Sequence, residues 1–183
     1  MKKIIILLAF LIPVLLKAQK MQDLKKYKPE MEISLIGGFQ KFKNPDAASA
    51  VYGVEVSLQC PLVQSQKAYI RQHFKFTHQQ AQKISSTTIE INPQCVILDR
   101  SNIKLGIGPG AGLIFANIAE DHKTIFSYGL GTSSAYYFKK ISIGIGACYA
   151  MTNKVSYANS KYESAGTARL NNWSSFLKLG YKF

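Results

Sequence analysis

After residue 16 the chain has no apolar run long enough to cross a bilayer as a helix, which takes about 20 residues. That excludes a helical membrane protein. Mean hydropathy is −0.01, far below what such a protein scores. Cysteine is scarce and odd in number: Cys60, Cys95 and Cys148 cannot make a full disulfide framework, and no cysteine follows directly on the N-terminal apolar run to take a lipid. Histidine is as scarce. His73 and His78 differ in parity, so one strand cannot aim both at one ion, and no metal site or other cofactor is expected. Acids are few, 10 Asp and Glu against 23 Lys and Arg, for a net charge of +13. Such a balance suits nucleic acid or an anionic surface.

What is present decides between those two. Lys2 and Lys3 precede an apolar stretch over 4–16, and Lys17-Ala18 precedes Gln19. This is the pattern of a secretory signal peptide over 1–18, with cleavage expected after Ala18. An exported chain does not meet nucleic acid. Two readings of the excess charge stay open: lipopolysaccharide phosphates and anionic head groups as counter-charges, or simply solvated loop and tail lysines. Residues 19–29 are polar and lysine-rich and are expected to be a periplasmic lead-in. Residues 30–183 are left as one domain.

In that domain apolar and polar residues alternate again and again, the period of a strand with two different environments. Strands are expected over 30–42, 50–60, 67–78, 87–98, 103–116, 124–138, 141–151 and 173–183, with Pro61 ending the second. Loops are expected over 43–49, 79–86 and 117–123, and tight turns at 99–102 and 139–140. The longest connection, 152–171, is polar and has room for a hairpin. Gly106-Ile107-Gly108-Pro109-Gly110-Ala111 matches a dinucleotide fingerprint by letters alone, because alternation continues to Phe115 where a helix would be needed.

The polar face fixes which side is inside. On the fifth to seventh strands it is glycine after glycine, which would weaken a water-exposed face for no gain. Inside a narrow barrel, glycine leaves room for long side chains from the opposite wall. Inward parity holds Glu32, Glu55 and Glu90 with Arg71, Lys75, Lys104 and Lys178, each acid having a base on an adjacent strand, and His73 as a hydrogen-bonding lumen residue. The reading is an all-β fold: an eight-stranded antiparallel up-and-down transmembrane β-barrel with a filled lumen.

The last strand carries apolar residues at alternate positions, Leu177, Leu179 and Tyr181, and ends on Phe183. With the eight alternating segments and the export signal, this resembles the small outer-membrane barrels of the OmpA/OmpX type, a porin-family outer-membrane β-barrel domain. The resemblance implies location in the bacterial outer membrane and contact with its lipids and lipopolysaccharide. It implies that Phe183, Tyr181, Leu179 and Leu177 form the signal read by the barrel-assembly machinery. A monomer with a structural or interaction role through extracellular loops is expected, with no catalytic residue and no nucleic-acid partner. Three alternatives stay open: a PorT-like component of a secretion apparatus, a lipid A-modifying enzyme, and a narrow porin. The deacylase group of such enzymes carries a His-x-Ser pair on a strand, and no His-x-Ser occurs here.

Deleting Phe183 is expected to lower the amount of folded protein in the outer membrane while export continues. Unchanged outer-membrane levels on fractionation would remove the terminal residue from the assembly signal.

Overall fold

The computed structural model describes residues 30–44, 46–64, 69–81, 84–118, 121–159 and 164–183. The expected signal peptide and lead-in lie outside them. Among the described residues there are nine strands: β1 (Met31–Asn44), β2 (Asp46–Gln64), β3 (Tyr69–Ala81), β4 (Ile84–Arg100), β5 (Ile103–Ile118), β6 (Asp121–Phe138), β7 (Ile141–Thr152), β8 (Val155–Asn159) and β9 (Ser164–Lys182). Strands β1 to β7 pair in sequence order, β7 pairs with β9, and β9 returns to β1, all antiparallel. Eight strands therefore close a ring. β8 stands outside it and pairs only with the start of β9, from Val155↔Ala168 to Asn159↔Ser164.

The seam closes where the sequence ends. Ile33 faces Tyr181, Leu35 faces Leu179, and the Phe183 N–H donates to the Met31 carbonyl at 2.9 Å. In hydrocarbon no water is available to an unpaired strand edge, so a ring without an edge is the sheet that can cross. The side-chain distribution matches. Outward positions are apolar and open, with Leu35 64% and Leu177 66% exposed, while Ser34, Glu55 and Ser57 on inward positions are buried. Near Glu30 and Phe183, Tyr136 with Phe138 and Tyr181 with Phe183 form aromatic pairs, and Tyr149 with Trp173 forms another toward the opposite end. Aromatic girdles mark the two interfaces of a membrane barrel.

At the end that holds Glu30 and Phe183, two-residue turns join the strands at Ser101-Asn102 and Lys139-Lys140; the second is as expected, and the first is shorter than the expected 99–102 because β4 runs on to Arg100. Ser101 and Lys139 have φ of 53° and 57°, a positive φ on the first turn residue alone, which is the type II′ pattern suited to strand twist. At the other end the loops expected over 43–49, 79–86 and 117–123 are mostly strand. Pairing runs on through Lys43↔Asp46, Ala81↔Ile84 and Ile118↔Asp121. The strands have 12 to 19 residues apart from β8, well beyond the 9–11 or so that a membrane needs. In the surplus the faces exchange character. Phe42, Ile84, Ile114, Ala116, Ile118, Ile125, Ala168 and Leu170 form a buried apolar cluster inside the ring. Lys41, Lys43 and Arg169 on the outward parity are exposed. The polar outward residues make these stretches look like loops. The buried inward ones make them strands.

Three prolines leave marks. β2 does not stop at Pro61 but runs to Gln64, and its register with β3 breaks between Gln59 and Gln64, around a residue that has no N–H. Pairing of β4 with β5 passes from Ile91↔Ala111 to Cys95↔Ile107. The register sets Pro93 opposite Pro109 in that gap, and the Asn92 amide bridges it from inside, donating to the carbonyls of Gly108 at 3.1 Å and Pro109 at 2.7 Å. The glycine-rich motif at 106–111 remains within β5 throughout.

Candidate functional site

The inward side chains fill the ring in layers. Nearest the turns, Glu30 holds Lys104 Nζ at 2.8 Å and Lys182 Nζ at 3.3 Å, and Lys104 also reaches Asp99 at 3.9 Å. Above them Glu32 receives donors from four strands. These are Ser34 Oγ at 3.1 Å, Arg71 Nη2 at 2.9 Å, Tyr137 Oη at 2.7 Å and Ser142 Oγ at 2.5 Å. Arg71 Nε donates to Ser57 Oγ at 3.0 Å, and its Nη1 has no hydrogen bond, with the Glu30 carboxylate at 3.7 Å. Charge without a bond satisfies that nitrogen only in part.

The next layer centres on Glu55, 2% exposed. Lys178 Nζ lies 2.8 Å from each of its oxygens, and His73 Nδ1 lies 2.9 Å from Oε1. Above it Lys75 Nζ donates to Glu90 at 2.9 Å and stands 5.0 Å from the centre of the Phe176 ring. The Cys148 thiol is 3.8 Å from both Glu90 oxygens. Beside these runs an amide relay: Ser133 Oγ donates to Gln94 Oε1 at 2.5 Å, and Gln94 donates to Asn92. A void of about 30 Å³ remains between Arg71, Tyr137 and Lys104, enough to hold a water molecule. The apolar cluster then closes the far end.

Glu32, Glu55, Glu90, Arg71, Lys75, Lys104, Lys178 and His73 thus all meet inside the ring. Their pairing differs from the adjacent-strand expectation. Lys75 and Glu90 are neighbours, but Arg71–Glu32 and Lys178–Glu55 each skip a strand. In a ring of eight strands the inward directions converge, so long side chains reach past the next strand. The glycines also act differently. A Cβ on Gly146 would lie 2.8 Å from the Phe176 ring, and one on Gly131 2.7 Å from Asn92 Oδ1. The room is taken by aromatic and amide groups one or two strands away, and at Gly146 also by the Lys178 side chain, whose Cε would lie 3.1 Å from the Cβ; that cation comes from the neighbouring strand and not from the opposite wall. At Gly129 the Cβ would strike the Tyr149 backbone, so there the sheet itself approaches too closely for a side chain.

Parity could have found what residue type did not. Glu30 and Tyr137 share the inward parity of Glu32 and Ser133, and Phe42, Ile114 and Leu170 share that of Gln40, Gly112 and Lys178. The other histidines are also in strands. His78 Nδ1 lies 3.0 Å from Thr87 Oγ1, and His122 is exposed in β6. Phe183, Tyr181, Leu179 and Leu177 all face outward.

A closed eight-stranded ring with a charged lumen and an apolar belt has the fold of the small outer-membrane barrels of the OmpA/OmpX type. No protein-family model matches the sequence, and no curated protein does. Solved structures do match. Neisserial surface protein A, NspA, superposes with a TM-score of 0.53 at 13% identity, over 85% of this chain and 97% of its own. Ail, the attachment invasion locus protein of Yersinia pestis, solved with the heparin analogue sucrose octasulfate, gives 0.51 at 13% over 85% and 97%. The outer membrane enzyme PagL gives 0.52 at 13% over 82% and 98%. At these identities the likeness is one of fold.

Removing one partner of a buried ion pair typically costs about 3–5 kcal/mol, because the other charge is stranded. Glu55→Ala and Arg71→Ala are expected to lose stability on that scale in urea unfolding from lipid vesicles. Lys154→Ala, exposed near the far end, is expected to change it by less than about 0.5 kcal/mol. Equal, small effects at all three would contradict a tightly paired lumen.

Proposed function

We propose that this chain is an outer-membrane barrel with a structural or interaction role, carried out by its outer rim and not by its interior. The observation that carries this reading is the filled lumen: paired charges occupy one half, and Phe42, Leu170 and their neighbours close the other. The short-turn end faces the periplasm, as in barrels of this kind, and the β8–β9 hairpin faces outside. NspA is a Neisserial surface protein, and Ail, the attachment invasion locus protein, forms a complex with the heparin analogue sucrose octasulfate, both in keeping with a role at the rim. The outward apolar stripe of β9 is assigned to the barrel-assembly machinery, and the belt to outer-membrane lipid.

A lipid A-modifying activity, one of the alternatives left open by the family resemblance, has less support; PagL is an outer membrane enzyme of similar fold, but its likeness to this chain is one of fold alone. Acyl chemistry needs a nucleophile, a base and a group that orients the base. His78 and Thr87 form a histidine–hydroxyl pair, but among the described residues no carboxylate contacts His78. The carboxylate-bound histidine, His73, is sealed in the lumen beside Lys178. A PorT-like partner role uses the same rim and is told apart by what crosslinks to it in intact cells.

In planar bilayers the purified barrel is expected to give little or no stable conductance. A steady, large-conductance channel from the wild-type protein would overturn the filled-lumen reading in favour of a porin.

A further inference from the structure

In hydrocarbon every backbone N–H and C=O needs a partner inside the protein, and a proline belongs at a strand edge or a bulge. The wall between β4 and β5 departs from both rules. Pairing stops after Ile91↔Ala111 and resumes at Cys95↔Ile107, so Asn92, Pro93 and Gln94 pass Gly110, Pro109 and Gly108 without a rung. Pro93 and Pro109 have no N–H to give. On their far sides the ladders run through, with Gln72↔Pro93 toward β3 and Pro109↔Leu130 toward β6. The break is therefore confined to one seam. It lies deep in the belt. Pro109 is six residues beyond Ile103, which faces Tyr136 of the girdle at the turn end. At about 3.3 Å per residue and a tilt of about 40°, that is about 15 Å into a belt about 25 Å tall.

The seam is thinly covered on both faces. Outside, Pro93, Pro109 and Ala111 lie in a groove of about 770 Å³ among Ile91, Leu113 and Tyr128. Inside, glycines leave the cover to two amides. A Cβ on Gly131 would lie 2.7 Å from Asn92 Oδ1, one on Gly106 2.8 Å from Gln94 Oε1, and one on Gly110 3.1 Å from Asn92 Nδ2. The Asn92 side chain ties the two strands together here, through the Gly108 and Pro109 carbonyls, and is itself held by Gln94 and Ser133. A side-chain bond is released by a change of rotamer, with no ladder undone. Next to Asn92 stands Glu90, with the Cys148 thiol 3.8 Å from its oxygens.

We propose that this seam is a latched side opening of the barrel, with Asn92 as the latch. Release of its amide lets β4 and β5 part between their paired flanks and opens the lumen beside Glu90 and Cys148 toward the membrane interior. The rest of the lumen stays filled, so the opening is not a pore from end to end.

The test is thiol labelling of the full barrel in lipid vesicles. A Cys60→Ser/Cys95→Ser background leaves Cys148 as the reporter. A membrane-soluble maleimide is compared with a sulfonated one that stays in water; the sulfur bonds to one ring carbon and the thiol proton passes to the other. Asn92→Leu, similar in size but without the donor, is expected to speed labelling by the membrane-soluble reagent about tenfold or more, for two hydrogen bonds lost. Pro93→Val/Pro109→Val, which restores both N–H groups, is expected to bring the Asn92→Leu rate back toward wild type. Ser57→Ala, a lumen change beside intact ladders, is expected to label like wild type. Equal rates in Asn92→Leu and wild type would overturn the latch. Labelling by the sulfonated reagent as fast as by the other would put the route through the barrel mouth and overturn the side opening. If Asn92→Leu fails to fold, hydrogen exchange of wild type in nanodiscs decides. Residues 91–95 and 107–111 are expected to exchange faster than 127–131 of β6, and equal protection would overturn the proposal. Conductance is a separate readout, so the seam can fail while the filled-barrel reading stands.

Discussion

A ring of eight strands is too narrow to hold water as a channel and too wide to close on backbone alone. Its inner face must be filled, and within the membrane the filling must carry polar groups whose charges cancel. Burying one ion costs several kcal/mol after relaxation, and a well-placed partner with further hydrogen bonds offsets that cost. Glu32 meets the requirement with four donors from four strands, and Glu55 with Lys178 of β9 and His73 of β3. Each carboxylate is thus a cross-link as well as a charge. Arg71–Glu32 and Lys178–Glu55 step over a strand, so they hold the curvature of the ring and not merely one pairing in it.

The solvent outside decides what belongs inside. Between the aromatic girdles the outer face meets lipid, and the inner face is polar. Beyond Trp173 the outer face meets water, Lys41, Lys43 and Arg169 point outward, and the inside becomes Phe42, Ile114 and Leu170. The barrel is a membrane protein over one part of its length and built like a soluble barrel over the rest. The apolar cluster closes the lumen and gives the outer rim a firm base, and the β8–β9 hairpin extends from that base.

Strand alternation made the ring, its closure at Phe183 and the inward set of charges readable from sequence, because membrane burial writes polarity residue by residue. The ends of the strands were not readable. Around 79–86 and 117–123, polar outward residues such as Gln80 and Ser85 look like loop, and only the burial of Ile84, Ala116 and Ile118 shows why pairing continues. Partners were hidden too. Parity says which residues enter the lumen but not how far a side chain leans, so Glu55 finds Lys178 past β1.

The central claim is that charges paired across strands hold the filled ring together. A double-mutant cycle on Glu55 and Lys178, using Glu55→Gln and Lys178→Met in vesicle-folded protein, tests it most directly. Contact at 2.8 Å predicts a coupling of about 1–3 kcal/mol, with the double variant less destabilised than the sum of the singles. Additive effects, with coupling near zero, would contradict it.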